Sequence, residues 1–243
     1  MSGAGLEGAL IPVGEEQLLG GFYRAAGDAP APAVALLHGI PGHELNLDLA
    51  QVLRGAGFHC LYFHYRGSWG SDGTYRMDRL VPDTLAALDW LAQRQDVDSE
   101  RIALVGISLG GWAALATAAR PSTVRVVCAL SPLIDPTERP LEAEMANEFA
   151  RSLDGTTGDK LQQEWLDLTP ITAYTAQLVD TSILLVSGDQ DEYFSPAHFR
   201  PLDEALADLR WVRFPTADHV FSQVRPGLCH LVRGFLLETL RTE

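Results

Sequence analysis

The chain has 243 residues, 47% of them hydrophobic and 21% charged, the make-up of one ordinary globular domain. Folding at this length buries roughly 70–75% of the unfolded surface, so a core can form without disulfides or structural metal. Eighteen basic against 32 acidic residues give a net charge of −14, which disfavours nucleic acid and anionic membranes as partners.

No run approaches the ~18 apolar residues of a membrane span. The opening Met1-Ser-Gly-Ala-Gly-Leu-Glu7 has neither the basic nor the apolar region of a secretory signal, so a cytoplasmic location is expected. Cys60, Cys128 and Cys229 are dispersed and lack metal-ligand spacing. Cys60 and Cys128 fall in strand-like apolar runs and read as buried small hydrophobes. With no glycine-rich nucleotide loop and no His/Cys metal motif, neither cofactor nor metal is expected.

Along the chain, Leu6–Val13 and Gln17–Arg24 suit a β-hairpin, followed by an Ala/Pro/Gly loop. Strands and helices then alternate. Ala33–Leu37 predicts a buried strand, Asn46–Ala56 a helix and Phe58–His64 the next strand. Apolar residues at helical spacing (Leu80, Leu85, Leu88, Leu91) predict a helix over Arg79–Arg94. Ile102–Gly106 reads as a strand, Leu109–Ala119 as its helix and Val124–Leu130 as another strand. The rhythm breaks at Pro132, and 135–178 reads as a small helical insertion over the carboxyl ends of the strands. It resumes with a strand at Ser182–Ser187, a helix at Pro196–Ala207, a strand at Arg210–Phe214 and a helix from about Pro226 to Leu240. Such alternation predicts a single α/β domain over 1–243, with a mostly parallel sheet covered on both faces. Ligands bind such sheets at the carboxyl ends of the strands.

The most informative segment is Gly106-Ile-Ser108-Leu-Gly110-Gly111, between an apolar strand and an Ala-rich helix. A Gly-x-Ser-x-Gly turn there holds the serine in strained geometry, with its hydroxyl raised above the sheet. Serine is a poor nucleophile at neutral pH and needs a base oriented by a third group. In this arrangement acid and histidine follow the nucleophile in that chain order. Downstream stand His198, His219 and His230. His219 lies in a loop after a strand and is the expected base, whereas His198 and His230 fall inside helices and suit packing or surface roles. Asp189, Asp191 and Glu192 follow a strand, and Asp191 sits far enough out to reach a histidine on the neighbouring strand. Asp189 suits a turn, and Asp218 is a weaker rival, because side chains of sequence neighbours usually diverge. The oxyanion hole needs two N–H donors. Leu109 follows the nucleophile, and the His38-Gly39-Ile40-Pro41-Gly42 loop leaves the Ile40 N–H free to point inward.

His38-Gly-Ile-Pro-Gly, His64-Tyr-Arg-Gly-Ser-Trp-Gly-Ser-Asp-Gly73, Gly106-Ile-Ser-Leu-Gly-Gly, Ser187-Gly-Asp-Gln-Asp-Glu and Ala217-Asp-His-Val-Phe resemble the serial motifs of α/β-hydrolases. The likeness runs from Leu36 onward. It is closest to stand-alone hydrolases related to the prolyl-oligopeptidase catalytic domain and to small carboxylesterases. It implies the α/β-hydrolase fold, with Ser108 as nucleophile, Asp191 as acid, His219 as base, and Ile40 and Leu109 as oxyanion donors. The chain has no room for the propeller of a prolyl oligopeptidase, and His64 stands where many relatives carry Asp.

Several residues are candidates for the substrate pocket: His43, Tyr65, Trp69, Trp112, Met145, Phe149 and Trp165. Each has a structural alternative, as loop anchor, helix start or apolar underside of the insertion. Arg66 better suits tying down its loop. The expected activity is ester hydrolysis through an acyl-enzyme on a small-molecule ester. The alternatives are cleavage of short peptides, thioester hydrolysis or acyl transfer, and a non-catalytic ligand-binding scaffold.

Overall fold

The computed structural model describes residues 3–121 and 124–240; the outermost ends of the expected 1–243 domain, and 122–123, lie outside the described residues. Strands β1 (Gly5–Val13) and β2 (Glu16–Arg24) form the expected hairpin. There follow β3 (Ala31–Leu37), α1 (Leu47–Gly55), β4 (His59–Phe63), α2 (Leu80–Ala92), β5 (Val97–Ile107), α3 (Leu109–Ala118) and β6 (Val126–Leu130). After an excursion come β7 (Ser182–Gly188), α7 (Pro196–Ala205), β8 (Arg210–Phe214) and α8 (Arg225–Thr239). The helix expected over Arg79–Arg94 opens instead with a 3-10 turn, Met77–Arg79, leading into α2. Strand β5 starts earlier than the apolar run suggests, because Val97 already pairs with Ala31 ahead of the buried stretch.

One eight-stranded sheet runs β1-β2-β4-β3-β5-β6-β7-β8. The hairpin joins through an antiparallel β2–β4 pairing, and every pairing from β4 to β8 is parallel. Parallel strands buried on both faces need apolar residues at consecutive positions, and Ala33 to Leu37 supply them. Their side chains alternate. Ala33, Ala35 and Leu37 join a core with Leu88 and Leu91 of α2 and Leu115 of α3, whereas Val34 and Leu36 join Leu49 and Leu53 of α1 and Val232 and Leu236 of α8.

Strand order reverses at β3, which lies between β4 and β5, and this switch point opens a crevice at the strand ends. Leu37 and Gly106 are partners in the β3–β5 register, so the Gly39–Gly42 loop and the serine turn emerge side by side.

Between β6 and β7 the chain leaves the sheet to form α4 (Ala143–Ala150), α5 (Gly158–Leu166), a 3-10 turn (Ile171–Tyr174) and the short α6 (Thr175–Leu178). Backbone bonds stitch this excursion to the loop after β4: Asp154 N–H donates to the Gly67 carbonyl at 2.7 Å, and Tyr75 N–H to the Asp154 carbonyl at 2.9 Å. The Trp112 indole N–H of α3 donates to the Thr169 carbonyl at 2.9 Å, and Ile171 N–H to the Ile134 carbonyl at 2.8 Å. The excursion is therefore hydrogen-bonded to the core at its middle and near its C-terminal end.

Candidate active site

Ser108 joins β5 to α3 with φ 55° and ψ −122°, a left-handed conformation unusual for a residue with a Cβ. Two close approaches enforce it. A Cβ on Gly106 would overlap the Gly110 carbonyl oxygen, and one on Gly110 would overlap the carbonyl oxygens of Leu37 and His38. Only glycine lets strand and helix meet so tightly. Ser108 N–H donates to the Leu130 carbonyl at 2.9 Å, and its own carbonyl accepts from Gly111 N–H at 2.9 Å. The turn is thus fixed from both sides.

His219 lies beyond the end of β8, and Asp191 beyond the end of neighbouring β7. Nδ1 of His219 stands 2.9 Å from Oδ2 of Asp191, whose side chain is wholly buried. The other Asp191 oxygen accepts the backbone N–H groups of Tyr193 (2.8 Å) and Phe194 (2.9 Å). Burial pushes the Asp191 carboxyl up, but the bond and charge of His219, with those two N–H groups, hold it below the usual carboxylate range. With Nδ1 occupied, Nε2 of the imidazole is left for the cavity. Glu192 Oε2 accepts the His219 backbone N–H at 3.2 Å, and the ring meets Tyr193 and Phe194 edge-on at 4.8 and 5.4 Å.

Ser108 and His219 line one cavity of about 240 Å³, together with Gly39 and Ile40 of the loop after β3. Leu109 is the first residue of α3, where a backbone N–H has no acceptor within its own helix. Met145 and Phe149 of α4 and Trp165 of α5 form the apolar wall supplied by the excursion, and His43 stands at the rim.

Three candidates for the pocket lie outside its lining. Tyr65 is 2% exposed and sits behind the Gly39–Gly42 loop, its ring edge-on to His38 at 4.8 Å. Trp112 is buried because α3 turns it under the excursion, where its indole N–H is held by Thr169. Trp69 is turned outward, and its indole N–H donates to the Pro41 carbonyl at 2.6 Å. Trp69 still contacts the rim, since its ring meets His43 at 5.5 Å. These are anchoring roles. Arg66 also anchors: it pairs with the buried Asp83 at 2.6 Å and with Glu16 at 3.0 Å.

The structure adds lining residues that the sequence reading passes over: Arg139, Pro140 and Leu141 ahead of α4, Tyr193 and Phe194 after the acid, and Val220 after the histidine. The aromatic pair two and three residues after Asp191 was the available signal. Asp189 forms an ion pair with Arg213 of β8 at 2.9 Å rather than closing a local turn. Asp218 accepts the Ser222 backbone N–H at 2.7 Å. His198 is buried, and Nε2 accepts the Ile134 N–H at 2.8 Å while Nδ1 faces Glu138 at 3.1 Å. Packing there ties α7 to the start of the excursion.

Among the described residues, no cluster of three or more His, Cys, Asp or Glu could hold a metal ion. Nor, among them, is any helix long and apolar enough to cross a membrane.

Among curated proteins, an uncharacterized protein of Mycobacterium tuberculosis is 38% identical over 113 residues, covering 45% of this chain and 40% of that protein. A polyketide transferase of a Penicillium species is 32% identical over 148 residues, 57% of this chain and 50% of that one. The chain thus spans half or less of the length of these relatives. Among solved structures, Est1E of Butyrivibrio proteoclasticus with ferulic acid bound superposes with a TM-score of 0.77 at 19% identity, covering 95% of this chain and 98% of that one. The Pyrococcus furiosus esterase Pf2001 gives 0.76 at 19% identity, covering 98% and 92%. At that identity the likeness is one of fold, and the fold is that of α/β-hydrolases. The model of the prolyl oligopeptidase family matches residues 45–242, which is most of the chain. The protein belongs to the prolyl oligopeptidase family.

Proposed function

We propose that the protein is a serine hydrolase that cleaves carboxylic esters through an acyl-enzyme. The observation that carries this reading is that Ser108 and His219 face one cavity, with His219 tied through Nδ1 to the buried Asp191. Nε2 of His219 takes the Ser108 hydroxyl proton as Oγ bonds to the ester carbonyl carbon. The carbonyl oxygen, now anionic, accepts N–H groups of Ile40 and Leu109, each such donor being worth about 3–4 kcal/mol in the transition state. Collapse breaks the carbon–alkoxy bond, and His219 returns its proton to the departing alcohol. Water, activated by the same imidazole, then splits the acyl-serine to a carboxylic acid and restores Ser108. Asp191 stabilises the imidazolium throughout without taking the proton.

An ester is favoured over a peptide because the acyl side is a small cavity walled by Leu141, Met145, Phe149 and Trp165, which suits a compact apolar acyl group. Cys60, Cys128 and Cys229 are all free and buried, which suits a reducing compartment such as the cytoplasm. Turnover of p-nitrophenyl esters of rising acyl length beside aminoacyl anilides tests the assignment. The reading expects short and aryl esters to be cleaved faster than any anilide, and faster anilide cleavage would favour a peptidase.

A further inference from the structure

A second depression adjoins the cavity of Ser108. It is an open groove of about 450 Å³, and His43, Glu44 and Val220 line both spaces. We propose that this groove binds the alcohol half of the substrate, and that this alcohol bears no negative charge and carries further hydroxyl groups. The inference rests on the serine-hydrolase reading of Ser108.

Position comes first. In that mechanism the imidazole of His219 protonates the departing oxygen, so the alcohol must leave beside that ring. Val220 is the next residue, and on its far side the groove continues to Asp48, Ser222 and Arg225. The excursion walls the other space mainly with apolar side chains, Arg139 and Glu142 apart, which suits the acyl half. The two spaces therefore meet at His43, Glu44 and Val220, the last of which follows His219 in the chain.

Charge decides the chemistry. Four of the five Arg225 guanidinium N–H groups have acceptors: Nε donates to Asp48 at 2.8 Å, Nη2 to Asn46 Oδ1 at 3.0 Å and to the second Asp48 oxygen, and Nη1 to the Val220 carbonyl at 3.3 Å. One oxygen of Glu44 accepts the Asn46 N–H at 2.5 Å, which leaves the other as an acceptor toward the groove. With Arg225 paired to Asp48, the uncompensated charge of the groove is that of Glu44, which repels an anionic alcohol and takes a hydroxyl donor on its other oxygen. The imidazole of His43, resting against Trp69, offers a second polar contact at the boundary of the two spaces.

Glyceryl monobutyrate and propyl butyrate share one acyl group and a three-carbon alcohol, and differ by two hydroxyls. With each kcat/KM divided by the ester's own hydroxide-catalysed rate, the glyceryl ester should be preferred about tenfold, the size of one or two net hydrogen bonds. Glu44→Gln, which removes the charge, and Ser222→Phe, which fills the groove from an exposed position, should each bring the ratio close to one. A wild-type ratio of one or less, turnover of neither ester, or a ratio unchanged in both variants overturns the assignment. Fluorophosphonate labelling is blind to the alcohol. Labelling at Ser108 without the preference removes the groove alone, whereas no labelling removes the hydrolase reading beneath it.

Discussion

Asp191 and His219 meet at 2.9 Å across the ends of two neighbouring parallel strands, with the carboxylate buried and also held by the Tyr193 and Phe194 N–H groups. This geometry fixes the imidazole tautomer. Asp191→Asn presents an amide that can donate to Nδ1 and favour the wrong tautomer, so kcat should fall by about 10⁴ with little change in KM. Asp189→Asn touches only a partly exposed pair with Arg213 and should leave kcat within about threefold. Steady-state ester kinetics on both variants checks the contrast; equal losses would mean that the acid is misassigned.

Glycine substitutions should separate tight from open backbone. In Gly110→Ala the new methyl meets the Leu37 and His38 carbonyl oxygens, so the cost should be about 2–3 kcal/mol or more in urea unfolding. Gly55 ends α1 with open space where a Cβ would stand, and Gly55→Ala should gain about 0.5 kcal/mol. A neutral Gly110→Ala would mean that strand and helix are not pressed together at the serine turn.

Acid should weaken the fold through His38. Burial lowers its pKa from 6.5 to about 4, against the smaller upward pull of the Gly39 carbonyl. Between those values the unfolded chain binds a proton that the folded chain does not, so stability is complete above pH 6.5 and is lost as pH falls toward 4. At pH 4.5 the loss from this group is about 2.5 kcal/mol. Burial shifts His59, His64 and His198 the same way, which steepens the fall. His38→Gln should reduce the difference in unfolding free energy between pH 7.5 and 4.5 by about that amount; an unchanged difference would contradict the assignment.

Trp112 links the helix after the serine to the excursion. Trp112→Phe removes the donor to the Thr169 carbonyl and should cost about 1–2 kcal/mol. Hydrogen exchange should quicken across residues 165–174 while β5 and β6 stay protected. Uniform quickening would mean that the excursion and the sheet open as one unit.

Fold and site were unequally legible in the sequence. Apolar runs such as Ala33–Leu37 and Ser182–Ser187 marked parallel strands because burial on both faces leaves little choice of residue. Gly106 and Gly110 marked the turn because only a missing Cβ allows the approach. Pocket lining depends on how helices dock, which local pattern does not encode. Met145, Phe149 and Trp165 of the insertion reach the cavity, whereas Trp112 and Tyr65, beside or within motif segments, are turned away into the core. Arg139 and Val220 carry no sequence signal of their own, and only the placement of the excursion and of the His219 loop brings them to the cavity. His198 looked like one helix residue among others, yet its two ring nitrogens hold the start of the excursion.

The central claim is that Ser108 is a nucleophile activated by His219. Incubation of the folded protein with a fluorophosphonate, followed by mass spectrometry of its peptides, tests this most directly. One phosphonyl group should be found on Ser108, with labelling abolished in Ser108→Ala and slowed at least a hundredfold in His219→Gln. A folded wild-type protein that stays unlabelled, or is labelled at another residue, would contradict it.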